Sequence, residues 1–112
     1  MRLGVFGHRE YDGLTEIVAT ILREAPRLGI EVRVEGALMD CAAGAGELGD
    51  PSEIDALISL GGDGTLLRAA RFLNGSQAPV LGVNLGRLGY LTSCSAKEFP
   101  RVLPRLAKGN YA

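Results

Sequence analysis

This sequence of 112 residues has no tryptophan, and its three phenylalanines and three tyrosines make up only 5% of the chain. It also lacks an excess of either charge, because twelve basic and thirteen acidic residues leave a net charge of −1. Proteins that bind nucleic acid through its phosphates concentrate positive charge on one surface, and no segment here does so. We therefore expect no nucleic-acid partner.

Cysteine and histidine are scarce as well. The two cysteines, Cys41 and Cys94, and the single histidine, His8, are too few and too dispersed to predict a metal site. We interpret the cysteines as reduced thiols, which favours a cytoplasmic protein. No apolar run approaches the ~20 residues that span a bilayer, and the N-terminal residues have the pattern of a strand rather than of a signal peptide. We expect no membrane partner.

The sequence is rich in hydrophobic residues, at 46%, and has sixteen glycines that fall mainly at the ends of apolar segments. This pattern predicts short elements joined by tight turns. Predicted strands cover residues 3–6, 30–34, 55–60 and 79–83, and predicted helices cover residues 14–25 and 65–73 and a segment from 96 toward 109. Residues 35–53 and 84–92 are predicted as loops, the first of them with room for one helical turn.

Two prolines and a capping-box pattern set the expected helix ends. Pro26 is expected to end or kink the first helix, and Pro104 to distort the last one. Ser95 and Glu98 have the spacing of a capping box, which predicts that the last helix begins at Ala96.

Strands that alternate with helices and loops favour parallel pairing with right-handed crossovers. We therefore predict an α/β fold, a Rossmann-like layered domain with a mostly parallel sheet of about four strands flanked by helices. Ligands of such sheets bind outside the carboxyl ends of the strands. Three segments are expected to meet at that edge, and they are residues 7–8, 61–64 and 84–90.

The second of these segments, Gly61-Gly62-Asp63-Gly64, lies between an apolar strand and an amphipathic helix. Glycines let a chain turn tightly and leave no Cβ between backbone amides and a ligand. The helix that follows adds unpaired N–H groups and the positive end of its dipole. A phosphate-binding turn and an ordinary tight turn, with Asp63 capping the helix, both fit this segment taken alone.

A second glycine-rich stretch, Gly82-Val83-Asn84-Leu85-Gly86, follows the next strand and leads into Leu88-Gly89-Tyr90-Leu91. With both stretches in this order, the sequence resembles the NAD kinases, which phosphorylate the adenosine ribose 2′-hydroxyl of NAD to give NADP. The similarity in residues is strong from 55 to 92 and extends over the whole chain in layout. The expected substrate is therefore NAD, and the expected partners are small-molecule nucleotides.

The resemblance implies roles for particular residues. Asp63 corresponds to the catalytic carboxylate, which contacts the NAD ribose and is assigned as the general base. Gly61, Gly62 and Gly64 would let phosphate and ribose approach the backbone. Thr65 would either cap the helix, which we favour, or donate to a phosphate.

Other residues near the expected site carry less definite roles. Arg68 would either reach a phosphate or lie on a solvated helix face, and the sequence does not decide between the two. The resemblance implies that Tyr90 packs against the dinucleotide, at a position where the NAD kinases usually have a phenylalanine. Asn84 is expected to hold the turn, and His8 and Arg9 are interpreted as loop residues without a catalytic role.

The resemblance also implies ATP as the phosphoryl donor, with polyphosphate as the other possible donor, and Mg²⁺ or another divalent cation carried on the ATP phosphates. Residues 1–112 would form the N-terminal α/β domain, and a largely β second domain with an Asn-Glu pair would follow Ala112. The full-length protein is expected to be a homodimer or homotetramer. We expect the 112 residues alone to be inactive or nearly so, because phosphoryl transfer depends on positioning.

Two other functions remain open from the sequence. The first is the catalytic domain of a lipid kinase of the diacylglycerol or sphingosine type, which carries a similar first glycine motif. The second is a non-catalytic nucleotide-binding or assembly domain, in which Asp63 only caps its helix.

Overall fold

The computed structural model describes residues 1–85 and 94–108. This part of the chain contains six strands, which are β1 (Arg2–Gly7), β2 (Glu31–Val34), β3 (Gly46–Glu47), β4 (Ala56–Gly61), β5 (Val80–Asn84) and β6 (Cys94–Ser95). Its α-helices are α1 (Leu14–Leu28), α2 (Asp63–Leu73) and α3 (Phe99–Ala107), and two 3-10 helices cover Gly36–Cys41 and Pro51–Glu53. The predicted α/β class is confirmed. The sheet has six strands rather than about four, because two-residue strands flank the four predicted ones.

All strand pairs are parallel, and the spatial order is β3-β2-β1-β4-β5-β6. The first three strands form one side of the sheet, from β1 in the middle to β3 at the edge. The chain then crosses back, and β4 lies on the other side of β1. The order of the strands therefore reverses between β1 and β4. A crevice opens at the carboxyl ends of two strands where the order reverses in this way, and ligands of doubly wound sheets bind there.

Apolar side chains cover both faces of the sheet. On one face, α1 and α3 join the alternate residues of the central strands in a single buried cluster that includes Val5, Ile21 and Phe99. On the other face, Phe6 and Leu57 pack with Ala69 and Leu73 of α2. Strand residues alternate between the faces, so the two helical layers hold β1 and β4 rigidly in the middle of the domain.

Helix α1 continues through Pro26 to Leu28, and its C-cap residue Gly29 has a left-handed φ of 69°. Of the two predicted effects of Pro26, an end or a kink, the end is therefore wrong. A proline removes one helical hydrogen bond to the preceding turn, but the burial of Ile21 and Ala25 against the sheet keeps that turn in place. Only two helical residues follow the proline, so the loss falls in the last turn.

The last helix begins at Phe99 and not at Ala96. The two bonds of the predicted capping box do form, since Ser95 N donates to Glu98 Oε1 at 3.1 Å and Glu98 N donates to Ser95 Oγ at 3.3 Å. They close a turn ahead of the helix instead of capping it. The predicted loop at residues 35–53 contains the two 3-10 helices and β3.

Candidate functional site

A cleft of about 540 Å³ lies at the carboxyl ends of β1 and β4, where the strand order reverses. One wall comes from the loop after β1 and the other from the first turns of α2. The lining residues are His8, Glu10, Tyr11, Gly64, Thr65 and Arg68. The cleft lies at the edge of the sheet where the sequence predicted a meeting of residues 7–8 and 61–64, and the first turns of α2 do meet the loop that follows Gly7.

Asp63 is the first residue of α2, and Gly62 precedes it in an extended conformation. The first hydrogen bond of the helix runs from Leu66 N to Gly62 O at 3.1 Å, so the earlier amides of α2 are not used by the helix itself. These amides and the helix dipole favour negative charge at this position. Asp63 is not one of the described residues that line the cleft, although its neighbours Gly64 and Thr65 are.

The three glycines of the segment differ in what surrounds them. A Cβ at Gly61 would lie 2.5 Å from Thr65 Oγ1, and one at Gly62 would lie 2.8 Å from Tyr11 Oη. A Cβ at Gly64 would meet no described atom within 4 Å, and Gly64 lines the cleft. Contact with Thr65 thus explains the glycine at 61, Gly62 faces the end of the Tyr11 side chain, and Gly64 borders open space at the cleft.

The structure does not support the predicted capping role of Thr65. The residue at the cap position is Gly62, and the helix start has no side-chain cap. Thr65 is the third residue of α2, is only 6% exposed and packs against Gly61. Its side chain forms part of the cleft wall, where a hydroxyl can donate to an anionic ligand.

Arg68 lies one turn further along α2 and is held in place by several contacts. Its guanidinium donates to both carboxylate oxygens of Glu35 and, through Nη2, to Gly7 O at 3.2 Å. Its Cζ lies 4.8 Å from the centre of the Phe6 ring. The hydrogen bond to Glu35 is the main cause of a raised pKa for Arg68. The side chain is nevertheless 47% exposed and lines the cleft. Arg68 is therefore an ion-paired residue of the cleft wall.

His8 and Arg9 follow β1, as expected. His8 is exposed, lines the cleft and stands edge-on to Tyr11, with 5.5 Å between the ring centres. Arg9 pairs with Asp40 at 3.0 Å and is not a lining residue of the cleft.

The second glycine-rich stretch begins beside the first. Asn84 is paired in register with Gly61, and Leu85 N donates to Gly61 O at 3.0 Å. The expected meeting of the two stretches is therefore observed at its start. Tyr90, with its expected contact to the dinucleotide, lies outside the described residues.

Sequence reasoning missed Glu35 and Tyr11. Glu35 is the first residue after β2, and the rule that ligand sites lie beyond the carboxyl ends of strands was a signal for it. Its position in a segment with no clear pattern concealed it. Tyr11 had no signal in the sequence. Its place in the cleft wall depends on a tertiary contact, the approach of its hydroxyl group to Gly62.

Neither a metal cage nor a membrane span is found in the described residues. Within residues 1–85 and 94–108, no group of three His, Cys, Asp or Glu side chains is placed to hold a metal ion. In the same ranges, no helix has the length and apolar character needed to cross a membrane.

Comparisons with known proteins agree with this geometry. The family model of the ATP-NAD kinase N-terminal domain matches residues 4–111. The chain is 51% identical over 111 residues to an NAD kinase of Gemmatimonas aurantiaca, an alignment that covers 99% of this chain and 38% of that protein. The chain thus spans well under half the length of this curated relative.

Two solved structures share the fold. Yeast NADH kinase complexed with NADH superposes with a TM-score of 0.77 over 98% of this chain and 38% of its own, at 19% identity. An NAD kinase from Archaeoglobus fulgidus in complex with ATP gives a TM-score of 0.66 and 26% identity, over 97% of this chain and 38% of its own.

Proposed function

Because the chain belongs to the ATP-NAD kinase family, in which it matches the N-terminal domain, we propose that it provides one side of the active site of an NAD kinase. The reaction is transfer of the terminal phosphoryl group of ATP to the adenosine ribose 2′-hydroxyl of NAD, which gives NADP. The observation that carries the proposal is the position of Gly61–Gly64. The segment joins β4 to α2 where the strand order reverses, beside an open cleft.

In this reaction Asp63 accepts the proton of the 2′-hydroxyl as that oxygen attacks the terminal phosphorus, and it orients the hydroxyl for in-line attack. Its position as the first residue of α2 supports this role, since the helix dipole keeps a carboxylate ionised there. An ionised carboxylate at this position is ready to accept a proton but is weakly basic, so the proposed role combines proton acceptance with orientation of the hydroxyl.

The phosphates of the nucleotides are assigned to the amides at the start of α2. Gly64 lines the cleft without a side chain, and Thr65 belongs to the same wall. Tyr90 is assigned to the dinucleotide. Mg²⁺ or another divalent cation enters on the ATP phosphates.

The proposal extends to the whole protein. A second, largely β domain completes the NAD pocket, so the 112 residues alone have little or no activity. The full-length enzyme is a cytoplasmic homodimer or homotetramer, and it uses ATP, with polyphosphate as an additional donor to be tested.

The experiment compares Asp63→Asn with Asp55→Asn in the full-length enzyme. Asp55 precedes β4 and accepts a hydrogen bond from Arg2 N at 2.7 Å, so it lies at the opposite end of the strand that Asp63 follows. We expect NADP formation to fall by roughly 10²–10⁴-fold with Asp63→Asn, the usual contribution of a general base. With Asp55→Asn it should stay near the wild-type rate.

Three results would contradict the proposal. Near-normal NADP formation by Asp63→Asn would show that Asp63 has only a structural role. Phosphorylation of a diacylglycerol in place of NAD would assign the chain to a lipid kinase. Robust NADP formation by the 112 residues alone would show that no second domain is needed.

A further inference from the structure

The carboxylate of Glu35 joins three elements at the edge of the cleft. Its Oε1 accepts hydrogen bonds from Gly7 N at 2.9 Å and from Arg68 Nη2 at 3.0 Å, and its Oε2 accepts from Arg68 Nη1. Gly7 ends β1, Arg68 belongs to α2 and Glu35 follows β2. One side chain, 16% exposed, thus ties together the two walls of the cleft.

The backbone explains why a side chain is needed at this point. Glu35 N donates to Val5 O at 3.0 Å, as the next bond of the β1–β2 ladder would require. The Glu35 carbonyl then turns away and accepts from Leu38 N at 2.8 Å, at the start of the 3-10 helix. Since that carbonyl is no longer available to the ladder, the Glu35 carboxylate accepts the Gly7 N–H in its place.

Arg68 completes the link. Its Nη2 also donates to Gly7 O at 3.2 Å, so the polar groups on both sides of Gly7 are bound by the Glu35–Arg68 pair. The guanidinium lies over Phe6, the preceding residue of β1. His8, the first lining residue of the opposite wall, directly follows Gly7.

We infer that Glu35 and Arg68 form a positioning pair for the proposed phosphoryl transfer, which fixes the distance between the loop after β1 and the start of α2. Glu35 acts through Arg68 and Gly7. The inference depends on the proposed function for its kinetic test. A charge-assisted, two-pronged pair of this kind sets geometry as well as adding binding energy, and phosphoryl transfer is sensitive to geometry.

The chain offers a close control for this pair. Glu53 also accepts from an arginine, Arg33, and from a backbone amide, Asp50 N at 2.7 Å. Its side chain is 35% exposed, and it is not among the lining residues of the cleft. Glu53→Gln therefore removes the charge and one acceptor oxygen, as Glu35→Gln does, in a place where these bonds do not position the cleft.

The experiment measures kcat and KM for NAD and ATP in the full-length enzyme. For Glu35→Gln we expect kcat to fall by roughly ten- to a hundredfold, since a misplacement of about 1 Å can lower a rate 10²-fold. KM should change less than about threefold, as for an interaction that acts only in the transition state. Glu53→Gln should leave kcat unchanged. It should lower the melting temperature by about as much as Glu35→Gln does.

A second comparison tests whether the two residues act as one unit. The double variant Glu35→Gln/Arg68→Gln should lose no more activity than the worse single variant. Multiplicative losses would overturn the inference. A kcat that stays at the wild-type value in Glu35→Gln would also overturn it, as would an equal loss of kcat in Glu53→Gln.

Amide hydrogen exchange separates this inference from the proposed function. Glu35→Gln should speed exchange at Gly7, whose N–H loses a charged acceptor, and Glu53→Gln should not. If the wild-type enzyme makes no NADP, the proposed function fails, and faster exchange at Gly7 still supports the link between the walls. Unchanged exchange at Gly7 would contradict the link whatever the reaction is.

Discussion

Gly61 and Gly64 belong to the same glycine motif, yet the structure predicts opposite results when each is replaced by alanine. At Gly61 the new methyl group would lie 2.5 Å from Thr65 Oγ1 and 3.0 Å from Thr65 Cβ. Thr65 is 6% exposed and fixed in the first turn of α2, so it has little room to move. At Gly64, which lines the cleft, the methyl group would meet no described atom within 4 Å.

The magnitudes follow from these contacts. Gly61→Ala should destabilise the domain by about 1–3 kcal/mol, the usual effect of inserting a methylene into a packed site. Gly64→Ala should stabilise it by about 0.4–1 kcal/mol, because alanine restricts the unfolded chain and Gly64 does not have a positive φ. If the methyl group blocks one amide from a phosphate, the loss of a hydrogen bond to a charged group is about 1.5–3 kcal/mol, or roughly ten- to a hundredfold in kcat/KM.

Urea denaturation of the 112-residue chain, followed by circular dichroism, measures the changes in stability. NADP formation by the full-length enzyme measures the change in kcat/KM. Gly64→Ala should therefore be the more stable variant and still have low activity. The reasoning is refuted if Gly61→Ala unfolds at the wild-type urea concentration. It is also refuted if Gly64→Ala keeps full activity, because the cleft at α2 would then not hold the phosphates.

Three further predictions concern single side chains. Burial is the main cause of a raised pKa for Cys94, so this thiol should react with a disulfide reagent at pH 7 much more slowly than after unfolding in urea; equal rates would contradict the assigned burial. The Ser52 amide lowers the pKa of Asp50, and the stability this adds is present above the ordinary carboxyl pKa and lost as pH falls through the lowered one, so Asp50→Ala should destabilise the chain more at pH 7 than at pH 2 in urea titrations. The Ser59 hydroxyl is buried and has no hydrogen-bond partner among residues 1–85 and 94–108, so Ser59→Ala should leave the free energy of unfolding in urea titrations unchanged or raise it by up to about 1 kcal/mol; a clear loss would reveal a partner.

The central strands and the glycine motif were predictable from sequence because their signals are local. An apolar run between turn residues is enough to predict β4, and the rule for parallel sheets then places Gly61–Gly64 at the ligand-binding edge. The family resemblance, which depends on two motifs in order, is confirmed by the match over residues 4–111. The catalytic role of Asp63 stays a prediction.

The features that sequence reasoning missed depend on tertiary contacts. β3 and β6 have two residues each, too few to show an alternating pattern. The direction of the Arg68 side chain depends on Glu35, which lies 33 positions away in the chain. Thr65 has the chemistry of a cap, but α2 begins two residues earlier than predicted, and this shift moves Thr65 into the helix.

The side-by-side position of β1 and β4 has a consequence for how the chain is made on the ribosome. Arg2 N is bonded to Asp55 Oδ2, 53 positions later in the chain, so β1 emerges long before the neighbour that completes its pairing. At an elongation rate of about 5–20 residues per second, the wait is about 3–10 s. Until β2 emerges, β1 is unpaired, and from then until β4 emerges it is paired on one side only, so its other edge stays open to pairing with another chain.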